Sequence, residues 1–372
     1  MKFVKWEDLK SGMRLARPIY SKSGVLLYER DAILAPASIE SVKNFGLLGI
    51  YILEPAEPLP PMSEEDIAFE KFEIKTVASL QDEITRIITT KKQKNLPTIV
   101  SQIIRQYGHL DDKVHFYQNL RSRDDFACRH MFNTAILCAM MASRMNIPVE
   151  DRLTLVSAAL VHDIGKVGSQ NTAVYGGETD EEKIAQMYSD CIQKCELLEE
   201  TFSSDGPKYR RICQQALRAQ KAADFGEEMD NKKMVRDAKI LQVASRYDEI
   251  TGMSLTGESK SEVKAIMEFQ DRDDIYDPAA VQALVDSVYI LFPGVSVELS
   301  TGDKALVINE NQENILKPTV ISFRNNNIMD LSLRDFSDIR VVDIMKTLDN
   351  RYIMDTAAMS NAGINVSDTE LL

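Results

Sequence analysis

The sequence predicts a mostly α protein: a small N-terminal α+β module, a helical bundle and a β-rich C-terminal segment. Three observations predict it. Apolar residues recur at helical spacing through most of 67–291. Short alternating runs separated by turn residues fill the first 56 residues. After Pro293-Gly294 the helical pattern gives way to strand-length runs broken by turns.

At 372 residues the chain is long enough for two or three domains, and 44% hydrophobic residues supply their cores. The formal charge of -13, from 57 acidic against 44 basic residues, argues against a nucleic-acid polymer as partner. Such a surface needs a net basic face. A local basic pocket for a phosphate ligand is still compatible. No apolar run approaches the ~20 residues that span a membrane. The opening MKFVKWEDLKSG is charged and lacks the apolar core of a signal peptide. A cytoplasmic protein without a membrane partner is therefore expected. The cysteines agree: Cys128, Cys138, Cys191, Cys195 and Cys213 are odd in number and form no disulfide framework. Cys191 and Cys195 stand four apart but lack a second Cys or His pair, so no zinc site is expected there.

In chain order, residues 1–56 form the small α+β accessory module. Strands are expected over Met13–Tyr20, Val25–Tyr28 and Gly49–Leu53, with a short helix from Ala37 to Phe45. A Pro-rich linker over 57–66 follows, because proline removes backbone donors and blocks helix. A helical connector spans 67–126, with a long helical region from about Ile67 to Leu120. It joins the modules or pairs with a second copy in a homodimer. His109 and His115 lie in its polar part and read as surface residues. The helical domain proper spans 127–291, the β-rich extension 292–356 and a loose tail 357–372.

Within the helical domain, residues Ser157 to Lys166 read S-A-A-L-V-H-D-I-G-K. His162 and Asp163 are adjacent, and both side chains bind divalent metals. Lys166 offers a positive charge to phosphate. Helices are expected over Ala127–Met145 and Val149–Asp163, broken at Asn146-Ile147-Pro148. Such a hairpin is antiparallel. From His130 to the turn is about 16 residues, or roughly 24 Å of helix, and the return to His162 is nearly as long. His130 and the His162-Asp163 pair therefore finish at the same end, although His130 and His162 are 32 positions apart. Further helices are expected over 181–202, 209–223, 233–251, 261–269 and 278–291. The 233–251 helix carries Asp248 near its C-terminal end. A hairpin over 295–308 and a strand over 318–323 complete the pattern. The chain contains no P-loop, G-x-G-x-x-G, G-x-S-x-G or H-E-x-x-H motif.

R-H-M-F-N-T-A from Arg129, A-A-L-V-H-D-I-G-K-V from Ala158 and A-K-I-L-Q-V-A-S-R-Y-D-E-I-T from Ala238 resemble the HD superfamily of metal-dependent phosphohydrolases. More narrowly, H-D-I-G-K-V-G and Tyr276-Asp277-Pro278 resemble the HD-GYP branch, whose well-known members hydrolyse cyclic di-GMP. The S-G-M-R-L-A and S-G-V-L-L runs are similar to a module often found ahead of HD-GYP domains. The resemblance implies an HD-type helical bundle. It implies a metal set of His130, His162, Asp163 and Asp248, with Asn133 beside the first histidine and Lys166 facing substrate phosphate. Asp163 and Lys166 would be the catalytic residues. The cofactor implied is a divalent ion, for which histidine and carboxylate ligands suit Mn, Fe or Zn.

The chain also departs from the branch. It has no histidine after His162, and no H-H-E or G-Y-P element. The aspartate usual three positions before the last one is Ser245 here. The implied centre is reduced to one metal, where two would clamp both the attacking and the leaving oxygens. Three readings stay open. One is an HD-GYP-like enzyme of bacterial cyclic di-GMP signalling with weak or absent diesterase activity. Another is an inactive domain serving as a ligand-binding or protein-interaction module with signalling partners. The last is an HD phosphohydrolase acting on another nucleotide.

Overall fold

The structure, a computed structural model, describes residues 2–21, 23–53, 64–116, 120–168, 180–254 and 259–345. The tail at 357–372, most of the 168–180 loop and the linker as far as 63 lie outside the described residues. From Glu64 onward the chain is already helix.

The N-terminal module contains β1 (Lys2–Lys5), β2 (Arg14–Leu15), β3 (Ile19–Tyr20), β4 (Leu26–Tyr28), α1 (Pro36–Asn44) and β5 (Gly49–Leu53). β1, β5 and β2 make an antiparallel sheet in that order, and β3 and β4 pair separately. The run expected as one strand over 13–20 is thus two short strands, because β2 pairs with β5 and β3 turns away to β4. The module has its own core, including Leu15, Ile19, Val42 and Ile50. A second cluster joins Phe3, Leu48 and Tyr51 of the module to Met253 of the helical domain.

The helical domain begins with α2 (Glu64–Thr90) and α3 (Leu96–Tyr107), followed by α4 (Phe126–Arg144) and α5 (Val149–Ala159). The long helical region expected from 67 to 120 is therefore interrupted. Lys91 adopts a φ of 56°, and α3 restarts with Pro97 in its first turn. After α3 no helix recurs among the described residues before α4. Arg144 and Arg152 donate instead to the carbonyls of Asp111 and Gly108, satisfying the chain where helical bonds stop. Leu80, Ile84 and Ile87 of α2 are fully buried in the core that holds α4 and α5. Each such side chain contributes roughly 1.5–3 kcal/mol by leaving water.

The remaining helices are α6 (Glu181–Lys194), α7 (Leu197–Thr201), α8 (Gly206–Asp224), α9 (Arg236–Thr251), α10 (Glu262–Asp271) and α11 (Pro278–Val285). The helix expected over 181–202 is split, with Cys195 and Glu196 between its two parts. α9 packs against α4, α8 and α10 and forms the centre of the bundle. The C-terminal segment is an antiparallel sheet of β6 (Ser296–Leu299), β7 (Lys304–Asn309), β8 (Thr319–Ser322), β9 (Ile328–Asp330) and β10 (Val341–Ile344), in the order β10-β6-β7-β8-β9. Val297, Val307 and Val320 of this sheet join the helical core. No helix among the described residues is long and apolar enough to cross a membrane.

Candidate metal centre

α4 and α5 do form the expected antiparallel hairpin, but α5 ends at Ala159, four residues earlier than expected. The physical reason lies in His162. A continuing helix would bond the Asp163 amide to the Ala159 carbonyl. Instead the His162 imidazole takes that carbonyl through Nδ1 at 2.7 Å. The chain then proceeds in tighter turns, with Ile164 N–H donating to the Val161 carbonyl and Lys166 N–H to the Asp163 carbonyl. Gly165 lets this turn lie against α6: a Cβ there would stand 2.6 Å from the Cys191 Cα. His162 and Asp163 are consequently buried, facing α4 and α9.

Three donor atoms converge. His130 Nε2 lies 3.3 Å from His162 Nε2 and 3.5 Å from Asp163 Oδ2, and His162 Nε2 lies 3.8 Å from that same oxygen. Ligands about 2.1 Å from a tetrahedral ion are separated by about 3.4 Å. The three spacings match that requirement. Asp163 is 1% exposed, and its Oδ1 has no hydrogen-bond partner among the described residues. A buried carboxylate is costly without a cation, and the Lys166 ammonium supplies one at Oδ2, 2.7 Å away. The tautomers agree as well. His162 donates through Nδ1 to the Ala159 carbonyl, and His130 donates through Nδ1 to Asp248 Oδ2 at 2.6 Å. Both Nε2 atoms therefore direct lone pairs at the same point. Burial pushes the His162 pKa down to about 4, so its imidazole is neutral at physiological pH. The residues present fit a divalent metal, and His130, His162 and Asp163 form the group that can hold it.

Asp248 is brought to the site but lies outside this group. Its Oδ2 accepts from Arg121 Nη2 at 2.6 Å as well as from His130, and its Oδ1 accepts from Asn133 Nδ2 at 2.9 Å. Burial alone would raise its pKa, but Arg121, His130 and Asn133 hold it below the usual carboxylate range. Asn133 thus acts on Asp248, one turn along α4 from His130. The α9 residue facing the Nε2 atoms is Ser245, whose Oγ is 3.0 Å from His130 and 3.3 Å from His162. Lys166 Nζ lies 2.7 Å from Asp163 Oδ2 and 3.4 Å from Glu249 Oε1. Burial would lower the Lys166 pKa, but the two carboxylates raise it, and the ammonium stays charged. Burial likewise works against an ionised Asp163, and Lys166 with the two imidazoles overcomes it, holding the pKa below the usual range.

Two residues that contact the site escaped the sequence reading. Arg121 sits in an irregular segment with no periodicity to mark it. Glu249 lies four residues after Ser245 on α9, a spacing that places both on one helix face. The other two histidines, His109 and His115, are exposed, as expected. The five cysteines are free and buried, and burial raises the Cys191 and Cys195 pKa values to about 12, as it does for Cys128. They are packing residues, inert as nucleophiles.

Among solved structures the chain is similar to Bd1817, a HDG"Y"P protein from Bdellovibrio bacteriovorus, at 14% identity and a TM-score of 0.44, over 76% of this chain and 98% of that one. None of the curated proteins matches it. The HD domain family model matches residues 128–250, which run from the start of α4 to the end of α9 and include His130, His162, Asp163 and Asp248. Residues 128–250 of the helical core, and the site within them, match an HD domain.

Proposed function

We propose that this chain is an HD-GYP-like metal-dependent phosphohydrolase of bacterial cyclic di-GMP signalling, acting in the cytoplasm with one metal and with weak or absent diesterase activity. The observation that carries this reading is the convergence of His130 Nε2, His162 Nε2 and Asp163 Oδ2 on one point. Of the four histidines in the chain, the other two are exposed and belong to the segment before α4. No imidazole is left to build a second metal position.

A divalent ion bound there would lower the pKa of a coordinated water and polarise a phosphoryl oxygen. Mn, Fe and Zn all suit the donors. The chain's own residues would do the rest. Asp248 and Asn133 hold His130 in orientation. Asp163, kept ionised by Lys166, serves as a ligand in preference to a base. Lys166 would offset charge on the phosphate. Its ammonium already faces Asp163 and Glu249.

That same ion pair favours a second reading, an inactive domain that binds a nucleotide or a signalling protein. A phosphohydrolase for another nucleotide shares the metal centre and differs only in substrate. The test is elemental analysis of the purified protein beside a His162→Ala control, then incubation with cyclic di-GMP and a nucleotide panel. One equivalent of metal, lost in the control, with slow formation of a linear dinucleotide supports the proposal. Equal, near-zero metal in both overturns the enzyme readings. Binding of cyclic di-GMP without product supports the module, and turnover of another nucleotide alone the third reading.

A further inference from the structure

We propose that Glu249 is a built-in competitor for substrate phosphate: its carboxylate occupies the Lys166 ammonium, and a phosphate binds there only by displacing it. This rests on the reading above that Lys166 offsets phosphate charge, and it adds the residue that limits that role. Lys166 Nζ lies 2.7 Å from Asp163 Oδ2 and donates to Glu249 Oε1 at 3.4 Å. The Lys166 side chain is only 7% exposed. Two carboxylates thus already face one ammonium, and a phosphate would bring a third anion to the same place. Like charges so close repel, so one of them has to leave.

Glu249 is the one able to leave. Asp163 is almost fully buried, sits on the same turn three residues before Lys166, and belongs to the group that can hold the metal. Glu249 is 26% exposed, makes the longer contact with Nζ and stands in the last turn of α9. Being more exposed than Lys166, it is met first by an anion arriving from solvent. It also has a second cation to turn to. Its Oε2 accepts from Gln220 Nε2 and lies 3.6 Å from Arg246 Nη1. Arg246 is fixed in turn by Asp224 at 2.9 Å and Glu268 at 2.6 Å. A rotation of Glu249 toward that guanidinium exchanges one cation for another and uncovers Nζ. The contact would account for weak turnover with the three metal-binding side chains intact.

The test measures binding of inorganic phosphate to the full chain, with its metal as purified, by calorimetry. Wild type, Glu249→Gln, Lys166→Gln, the double variant and Glu298→Gln are compared, with thermal unfolding confirming that each is folded. Glu249→Gln removes the competing charge and keeps the shape. Glu298, exposed on β6, controls for the same change in net charge. Competition predicts that Glu249→Gln binds phosphate at least about tenfold more tightly than wild type and that Glu298→Gln does not. The gain should vanish when Lys166 is also replaced. Equal affinity in wild type and Glu249→Gln overturns the proposal, as does an equal gain in Glu298→Gln or a gain that survives the loss of Lys166. If the Lys166 variants do not fold, the comparison of Glu249→Gln with Glu298→Gln decides. No phosphate binding by any chain also overturns it. Metal content of the same preparations beside His162→Ala is read separately, so each of these outcomes leaves the metal reading standing, and near-zero metal throughout removes that reading instead.

Discussion

Nδ1 of His130 donates to Oδ2 of Asp248 across 2.6 Å, and this one bond decides which imidazole nitrogen faces His162 and Asp163 at the candidate metal centre. Asp248→Asn disturbs it without changing size. The amide can turn its NH2 toward Nδ1, which favours the tautomer with a proton on Nε2. Metal affinity should fall by about 10–100-fold, as for other partners of a ligating histidine. Calorimetric titration with Mn(II) or Zn(II) measures it, and unchanged affinity would show that His130 keeps its tautomer unaided.

Arg121 and Asp248 are both essentially buried, at 1% and 0% side-chain exposure. Removing one partner strands the other charge away from water. Arg121→Met should therefore cost about 3–5 kcal/mol in urea unfolding. The double variant Arg121→Met/Asp248→Asn should recover part of that loss, since no charge is left unpaired. A single-variant cost below about 1 kcal/mol would mean that water reaches Asp248.

Gly165 is required by closeness. A methyl group there would meet the Cα of Cys191, which is backbone and cannot rotate aside. Gly165→Ala should destabilise by about 1–3 kcal/mol, as for other overpacked positions. It should also lower metal affinity, because His162 and Asp163 lie on the same turn. Denaturant unfolding and a metal titration on one preparation check both.

How much of this was legible beforehand depended on length and regularity. The α4–α5 hairpin is long and strongly periodic, so rise per residue was enough to bring His130 beside His162. The end of α5 was not legible, since a side chain, His162, replaces the backbone donor that would have continued it. Asp248 and Ser245 were both visible on α9, but periodicity does not say which faces Nε2 and which Nδ1 of His130. Arg121 carried no signal, being irregular backbone whose partner is 127 residues away. In the C-terminal sheet, β6 to β8 follow clear turns, while β9 is three residues long and β10 pairs with β6 from far along the chain.

Asp277 caps α11, accepting from the amides of Ala279 and Ala280 and from Lys239 Nζ at 2.8 Å. Burial works to raise its pKa, but Lys239 and the two amides prevail and lower it. The folded pKa thus lies below the unfolded one. The resulting stability is present above the ordinary aspartate value of about 3.9 and fades as pH falls through it toward the folded pKa. Asp277→Ala should cost about 0.5–2 kcal/mol at neutral pH. The gap from wild type should shrink between about pH 5 and pH 3. A gap independent of pH would show that the cap acts without its charge.

The Arg121 segment is stitched to the N-terminal module as well as to the HD domain. Leu48 N–H donates to the Arg121 carbonyl at 3.0 Å, Ser122 bridges Leu47, and Arg123 N–H reaches the Gly46 carbonyl. From that backbone the guanidinium runs inward to Asp248, and Asp248 grips His130. Undocking the module would strip the clamp from its anchor, and the imidazole would lose its fixed bearing. A series of three contacts thus ties the first 53 residues to the nitrogen that His130 turns toward His162.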